Sequence, residues 1–244
     1  MTIQLLPEPE EPKSCSLEDW PEDQELTITK VERQRKSGHR YMISFGEYTL
    51  SVHEDVMIRF RMTTGSVFSK CDLLEIVRDN ERQIAYAEGL RYLERKPRTA
   101  KEMADRLRQK EIGDTIIEDT LNRLRQERYI DDTWYARQWA EQRVGGRGKG
   151  KRWVRYELKE KGIDKGLIDE ALDNLDPDLE RESALQLARK KWRSLSGETR
   201  DKRRKTGAYL MRRGFPGELV QRCLSDILTE ERENGEECEF DVFP

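Results

Sequence analysis

Apolar residues recur with the period of an α-helix from about residue 81 to residue 230, and the pattern occurs three times. The three copies are LRQKEIGDTIIEDTLNRL from Leu107, LKEKGIDKGLIDEALDNL from Leu158 and LMRRGFPGELVQRCLSDI from Leu210. Each leucine lies five residues before an anchor residue, and the anchors are 51 and 52 residues apart. The anchors are Ile112, Ile163 and Phe215, and apolar residues follow them at +5, +9 and +12, namely Ile117, Leu121, Leu124, Ile168, Leu172, Leu175, Val220, Leu224 and Ile227. The repetition predicts three tandem copies of one helical unit.

Each copy is predicted to contain three helices, because a longer helical stretch precedes each pair. These stretches cover approximately residues 82–95, 132–144 and 178–195. Thr99 and Glu102 form a capping-box pattern, which predicts that a helix starts there. Gly162 and Gly214 favour left-handed C-caps, whereas Glu111 occupies the same place in the first copy and is a weaker stop signal. A three-helix unit cannot close a large core alone, so neighbouring copies are expected to stack into an elongated curved rod.

The region before the repeats has a different residue pattern, which predicts a small separate cap. The runs LTITKVERQR, YMISF and YTLSV are typical of β-strands, and Ser37-Gly38 and Gly46-Glu47 separate them as turns. Helical stretches follow near residues 54–62 and 70–80. The expected fold class is therefore mostly α, with three tandem three-helix repeats and a small N-terminal β-containing cap. The predicted divisions are a disordered acidic arm at 1–25, the cap at 26–80, repeats at 81–130, 131–176 and 177–229, and an acidic tail at 230–244.

The net charge of −3 conceals a basic body between two acidic ends. Residues 1–25 and residues 226–244 each carry eight acids and one base, which leaves a net charge of +11 for residues 26–225. Such a body indicates a polyanionic partner, although the acidic ends would also serve solubility alone. No apolar run has the length of a membrane span, and the start MTIQLLPEPEEP lacks the features of a secretory signal. The four cysteines form no CxxC pair, so we expect a cytoplasmic protein with unpaired thiols.

Two cationic segments occupy equivalent places in the second and third repeats. The first, RVGGRGKGKRWVR at residues 143–155, holds six cations and four glycines without an acid. Glycine would let its backbone approach phosphates closely. We expect these side chains to form one basic ridge that binds DNA or another polyanion without reading sequence; a solvated linker is the alternative. The candidate residues are Arg143, Arg147, Lys149, Lys151, Arg152, Arg155, Arg200, Lys202, Arg203, Arg204, Lys205, Arg212 and Arg213.

Catalytic, metal-binding and cofactor-binding chemistry find little support in the sequence. Gly145 to Lys151 fits the GxxxxGK spacing of a P-loop, but Arg152 stands where Ser or Thr must bind Mg²⁺. His39 and His53 lie in the cap without a nucleophile motif and are expected to be structural. Asp131-Asp132 is expected to cap a helix rather than bind metal. The sequence therefore predicts a non-catalytic protein without a metal or cofactor.

The tryptophans of the repeats are expected to lie on helices. Trp134, Trp139 and Trp192 are predicted to pack in cores, and Tyr135 with Trp139 has the spacing of an i, i+4 pair. Trp153 lies among cations, so packing in a core and stacking on a base are both open for it.

The chain resembles the RecX family of recombination regulators over about residues 84–228. The resemblance is carried by RYIDDTWYARQWAEQR, the Gly/basic loop and RYELKEKGIDKGLIDEAL, flanked by RYLERKPRTAKEMADRLRQKEI and LMRRGFPGELV. The family signature falls on Tyr129, Asp131, Asp132, Tyr135, Ala136, Arg143, Gly148, Glu157, Leu158, Gly162 and Ile163. Most of these positions are expected to be structural, with Arg143 and the loop as contact candidates.

The resemblance implies a non-catalytic regulator of recombination and DNA repair. Members of the family bind the RecA nucleoprotein filament and restrain RecA's ATPase and strand exchange, and some bind single- or double-stranded DNA. A monomer without a membrane partner is expected. The alternatives are a helix-turn-helix transcription regulator, whose second helix would run from Ile116 to Arg125, and a protein scaffold that responds to neither DNA nor salt.

Overall fold

A computed structural model describes residues 20–21, 24–35 and 39–240, with side chains through residue 233. The chain divides into two compact units, one within residues 1–95 and 106–124 and the other within residues 96–105 and 125–244. No helix in the described part of the chain is both long enough and apolar enough to cross a membrane. The mostly helical class with a small N-terminal sheet region, predicted from the sequence, is confirmed.

The first unit begins with short antiparallel strands. They are β1 (Leu26–Thr27), β2 (Lys30–Arg33), β3 (Arg40–Phe45), β4 (Tyr48–His53) and, after helix α1 (Glu54–Arg59), β5 (Val67–Phe68). Strands β2, β3 and β4 form one sheet in that order, and β1 pairs with β5. Phe45 pairs with Tyr48 across the predicted Gly46-Glu47 turn, where Gly46 has a φ of +64°. The predicted Ser37-Gly38 turn lies outside the described residues.

A hydrophobic core lies beneath the three-stranded sheet. It contains Trp20, Ile28, Ile43, Phe45, Val52, Val56, Met62, Leu73 and Ile76. The ring of Trp20 lies 5.4 Å from that of Phe45 and 4.9 Å from that of Tyr48, measured between centroids. Trp20 belongs to the segment that was predicted to be a disordered arm, but its indole is 2% exposed. A single large aromatic side chain can fix a chain that is otherwise polar, because it removes so much apolar area from water.

Helix α2 (Lys70–Leu93) is continuous, whereas the pattern predicted two helices with a break near residue 81. It starts at a capping box in which Ser69 and Asp72 exchange hydrogen bonds with each other's backbone N–H groups. No proline or glycine lies between residues 70 and 88, so nothing in the backbone chemistry ends the helix. The cap and the first repeat therefore share this helix.

The remaining helices follow the predicted triplets. They are α3 (Ala100–Arg108), α4 (Asp114–Gln126), α5 (Asp132–Glu141), α6 (Lys151–Glu160), α7 (Lys165–Asp173), α8 (Pro177–Arg193), α9 (Thr199–Arg212) and α10 (Gly217–Phe240). A π-helical turn, Gln142–Gly146, extends α5. Of the predicted apolar stripe, only Ile112 and Leu121 are half-buried, and all other members are buried. Helix α10 extends well past residue 230, so the segment predicted as an acidic tail begins inside a helix.

The predicted helix ends are confirmed at the level of single hydrogen bonds. The hydroxyl of Thr99 accepts from the backbone N–H of Glu102, and the Glu102 carboxylate accepts from that of Thr99, each at 3.2 Å. Gly162 and Gly214 end α6 and α9 with φ values of +75° and +90°. Glu111 adopts the same left-handed conformation, with a φ of +61°, although it carries a side chain. The three helix ends thus have one backbone geometry, and the first is strained.

Candidate functional site

The basic loop of the second repeat lies directly against the end of α9. The backbone N–H of Gly150 donates to the carbonyl of Arg213 at 2.9 Å, and that of Arg152 donates to the carbonyl of Gly214 at 3.3 Å. A Cβ on Gly150 would lie 2.3 Å from the carbonyl carbon and oxygen of Gly214, so only glycine permits this approach. The basic loop and the C-terminal end of α9, which are far apart in sequence, therefore meet at one junction.

Two of the loop's glycines serve internal packing rather than an approach to phosphate. Gly148 has a φ of +58°, and a Cβ there would lie 2.4 Å from the Cδ1 atom of Leu187. Gly150 packs on Gly214, as described above. Only Gly146 has open space around its Cα. The phosphate-approach interpretation is therefore wrong for Gly148 and Gly150, because protein atoms already occupy the space beside them.

One carboxylate organises the helices on either side of the loop. Glu157 accepts hydrogen bonds from the indole N–H groups of Trp139 and Trp153, each at 2.8 Å. Its Oε2 atom also lies 3.0 Å from the Nε atom of Arg143, whose guanidinium is 4.0 Å from the Trp139 ring centroid. The side chain of Arg143 is only 17% exposed. Arg143, predicted as a contact residue, is instead committed to this internal ion pair.

Other predicted contact residues also have internal partners. Arg155 pairs with Asp169 at 3.0 Å. Arg213 donates to the carbonyls of Arg147 and Gly148 at 3.2 and 3.3 Å, which fastens the loop to α9. The ammonium group of Lys149 lies 3.8 Å from the ring centroid of Trp153, in a cation–π contact.

A smaller set of cations remains available at the junction. Arg147, Arg152 and Arg212 are exposed, and within the described part of the chain their side chains have no acidic partner. Lys151 is half-buried, and its backbone N–H donates to the Glu180 carboxylate at 2.8 Å, whereas its ammonium group has no acidic partner among the described residues. We call these residues, together with the half-buried Lys149, the junction cluster: Arg147, Lys149, Lys151, Arg152 and Arg212. All five lie within three residues of the backbone hydrogen bonds that join the loop to α9.

The cations of α9 do not form the single ridge that was predicted. Lys202 faces α8, with its ammonium group 5.6 Å from the Trp192 ring, whereas Arg203 donates to Gln221 of α10 at 3.1 Å. Arg204 lies 3.5 Å from Asp201, and Arg200 and Lys205 are exposed. Successive residues of an α-helix are rotated by about 100°, so a run of neighbouring cations must spread over several faces.

The remaining candidates of the sequence have structural roles. Asp131 caps α5, accepting from the backbone N–H of Trp134 at 2.8 Å. Asp132 caps α3 instead, accepting from the N–H of Ala100 at 3.0 Å, and burial raises the pKa of its carboxyl. Sequence reasoning missed this second cap because α3 and α5 are separate in the chain. His53 caps α1, accepting from the N–H of Asp55 at 3.2 Å, and burial lowers the pKa of its imidazole.

His39 and the tryptophans of the repeats differ in how far they are buried. His39 lies 3.2 Å from Glu54 and stacks on His53 with 6.1 Å between ring centroids. The predicted pair of Tyr135 and Trp139 is stacked at 5.6 Å. Trp192 is buried, but Trp134 and Trp153 are 49% and 37% exposed, so the core prediction is wrong for Trp134.

The sequence did not predict a second ion pair near Trp139, between Lys161 and Glu102. The Lys161 ammonium donates to the Glu102 carboxylate at 2.7 Å and lies 4.7 Å from the Trp139 ring centroid. Burial opposes the charge of Glu102, but hydrogen bonds from Lys161 and Thr99 outweigh it and lower the pKa of Glu102. The two residues are 59 positions apart, so no local pattern reveals them. Among the described residues, no group of three or more His, Cys, Asp or Glu side chains is arranged to bind a metal.

Comparison with known proteins identifies the repeats. Three family models match, described as the first, second and third three-helix domains of RecX, at residues 85–124, 131–172 and 178–224. The regulatory protein RecX of Bacillus velezensis is 32% identical over 220 residues, which cover 88% of this chain and 82% of that protein. The regulatory protein RecX of Clostridium acetobutylicum is 30% identical over 213 residues, which cover 85% of this chain and 99% of that protein.

Solved structures agree with the sequence comparisons. A crystal structure of regulatory protein RecX matches 80% of this chain and 97% of its own, with a TM-score of 0.67 and 28% identity. The crystal structure of RecX from Lactobacillus salivarius matches 61% of this chain and 97% of its own, with a TM-score of 0.58 and 27% identity. With three repeats, the predicted helical triplets and relatives that match over most of their length, this chain belongs to the RecX family of regulatory proteins.

Proposed function

We propose that this protein is a non-catalytic regulator of homologous recombination and DNA repair that binds the RecA nucleoprotein filament. It would modulate RecA's ATPase and strand exchange, acting in the cytoplasm as a monomer. Membership in a family of regulatory proteins supports the regulatory role. The observation that best supports the proposal is the junction cluster, in which five cations gather without an acidic partner among the described residues.

The junction cluster suits a phosphate backbone better than a base edge. Its arginines and lysines lie on a loop and on two helix ends, and their side chains form no hydrogen bond to another described residue that would fix their orientation. Cations of this kind neutralise phosphates and release counterions without reading sequence. The filament, single-stranded DNA and double-stranded DNA all present such phosphates. Binding by the cluster is therefore expected to be independent of base sequence and weaker at high salt.

The repeated helical triplets suit an extended partner. We propose the divisions 81–130, 131–176 and 177–229 as three units that contact several RecA subunits at once. Several weak contacts on one chain give avidity without a deep pocket. A regulator of this kind needs no catalytic group.

A charge-reversal variant tests the proposal. Arg147→Glu with Arg152→Glu removes two exposed cations and adds two acids, and it leaves the backbone hydrogen bonds of the junction in place. Arg152 lies in the first turn of α6, where a glutamate is favourable to the helix dipole. We expect retention by RecA filaments on single-stranded DNA to weaken by about tenfold or more. The melting midpoint should change little.

The matched control is Lys159→Glu with Lys165→Glu, which makes the same change in net charge at exposed positions of α6 and α7. Retention by filaments should stay near that of the unmodified protein. Equal binding and normal inhibition of RecA ATPase by the junction variant would refute the role of the junction cluster. Equal loss in both double variants would show that only total charge matters.

The transcription-regulator alternative is less well supported by α4, its recognition-helix candidate. Ile117, Thr120 and Leu124 are buried, and the exposed side of α4 includes Glu118 and Asp119. Acids on that side repel phosphates, and Asp119 accepts from Arg82 at 3.0 Å. Retention on one duplex sequence in the presence of excess competitor DNA would favour the transcription regulator. Insensitivity to both DNA and salt would favour the scaffold.

A further inference from the structure

A shallow groove of about 500 Å³ runs between α9 and α10. Its floor is formed where the two helices approach closely at Gly207, because a Cβ there would lie 3.3 Å from Leu224 and 3.7 Å from Val220. Met211, which is 57% exposed, lies at one end. Arg200, Arg203 and Arg204 line the other end. The groove is thus apolar along its floor and cationic at one end.

We propose that this groove binds an acidic peptide segment of a protein partner. The carboxylates of the peptide would pair with the three arginines, and one apolar side chain would pack on Met211 and Leu224. The inference rests on the proposed function in one respect, namely that the partner is the protein part of the RecA filament. It assigns a second contact, separate from the junction cluster and different in chemistry.

The arginines of the groove have guanidinium N–H groups that are available to bind a ligand. Within the described part of the chain Arg200 has no acidic partner, and Arg203 uses one N–H group on the amide oxygen of Gln221. Arg204 is 3.5 Å from Asp201, but the two side chains are 73% and 57% exposed, so that ion pair is weak. Among the residues whose side chains the structure describes, none of those that line the groove is acidic. A guanidinium binds a carboxylate with two parallel hydrogen bonds, so an acidic segment matches this end of the groove.

The floor of the groove favours a peptide over a nucleic acid. None of the described residues that line it is aromatic, so they offer a base no ring on which to stack. A phosphate backbone has no apolar group to cover Met211, whereas a leucine or phenylalanine side chain does. Arg200 and Met211 are separated by roughly 16 Å along the helix axis at 1.5 Å per residue. An extended segment of about five residues spans that length.

A photo-cross-linking experiment on the full chain tests the inference. Met211→p-benzoylphenylalanine places a photoreactive group at the apolar end of the groove. The variant is bound to RecA filaments on an oligo(dT) strand, irradiated, digested and examined by mass spectrometry. The expected product joins position 211 to a RecA peptide that contains acidic residues. Adding Arg200→Glu with Arg204→Glu should lower its yield by about tenfold, since the carboxylates are then repelled.

The controls separate this inference from the proposed function. Adding Lys159→Glu with Lys165→Glu should leave the yield unchanged, and Trp134→p-benzoylphenylalanine on α5 gives the yield of an unrelated exposed position. Cross-links to the oligonucleotide, to a second copy of the chain or to the chain's own residues would overturn the inference, as would a yield no higher than that from position 134. Co-sedimentation of the same samples measures filament retention. Retention of the position-211 variant without the expected product overturns only the groove contact. Failure of the unmodified chain to be retained by the filaments overturns both.

Discussion

The basic loop of the second repeat and the basic run of α9 have similar composition but opposite geometry. In the loop, glycines and a π-helical turn interrupt the helices, and backbone hydrogen bonds hold the segment against Arg213 and Gly214. In α9 the cations belong to one uninterrupted helix from Thr199 to Arg212. The loop therefore gathers cations at one place, and the helix distributes them around its axis. Similar charge in the sequence yields different surfaces because the backbone decides where each side chain lies.

The same comparison separates structural cations from available ones. Arg143 and Arg213 frame the loop, and both are engaged internally, Arg143 with Glu157 and Arg213 with two loop carbonyls. The neighbouring cations Arg147 and Arg152 are exposed. Fixing the edges of the loop in this way lowers the conformational entropy that a bound phosphate would otherwise have to overcome.

The largest expected effect concerns Gly150, where the basic loop packs against the backbone of Gly214 at the end of α9. Gly150→Ala places a Cβ against the backbone of Gly214, which cannot move aside as a flexible side chain can. We expect the free energy of unfolding to fall by about 3 kcal/mol. Denaturant titration followed by circular dichroism measures it. Gly146→Ala, in the same loop but with open space around it, should change stability by about 0.5 kcal/mol or less; equal effects of the two substitutions would contradict the junction geometry.

A smaller effect is expected at Glu157. Glu157→Gln keeps the size of the side chain but replaces one accepting oxygen by an NH₂ group, which then faces an indole N–H. The substitution also removes the negative charge opposite Arg143. The expected loss is about 1.5–3 kcal/mol, the range for hydrogen bonds to charged groups. The fluorescence of Trp139 and Trp153 should change with it. Asp169→Asn, which breaks only the exposed pair with Arg155, is the control and should cost less than about 1 kcal/mol.

The smallest predicted effect extends the comparison to the first repeat. Glu111 holds a left-handed backbone that Gly162 and Gly214 adopt without strain. Glu111→Gly should raise the free energy of unfolding by about 0.5–1 kcal/mol, because relief of roughly 1–2 kcal/mol of strain exceeds the extra entropy lost by glycine. Thermal unfolding measures the gain. Glu118→Gly, an exposed position inside α4, should do the reverse, and destabilisation by both substitutions would argue against strain at Glu111.

The sequence predicted the repeated elements of the fold better than the partners of charged side chains. The stripe around Leu158, the cap at Thr99 and the helix ends at Gly162 and Gly214 depend on local spacing, so they were predictable. The ion pair of Glu157 with Arg143 and its hydrogen bonds from two indoles depend on how helices meet, which spacing alone does not encode. The continuity of α2 was not predicted because the residue pattern changes between the cap and the first repeat. That change suggested a break, but the helix is continuous there.

The location of the basic loop could be predicted from the sequence, but which of its residues are available for contact could not. Glycines and cations at residues 143–155 indicated the loop that contributes to the junction cluster, and the bonds to Arg213 and Gly214 show that the third repeat meets this loop. The assignment of Gly150 to phosphate approach failed because its neighbour is protein backbone. The single ridge failed in α9, where helical rotation separates Lys202 from Arg203.

The most direct test of the junction cluster is the salt dependence of binding to a fluorescein-labelled DNA duplex, measured by anisotropy. If five cations contact phosphates, the logarithm of the association constant should fall with the logarithm of salt concentration at a slope of about −4.5. Arg147→Glu with Arg152→Glu should reduce the magnitude of the slope by about 2. A slope near zero for the unmodified protein, or the same slope in the double variant, would contradict contact between the junction cluster and phosphate.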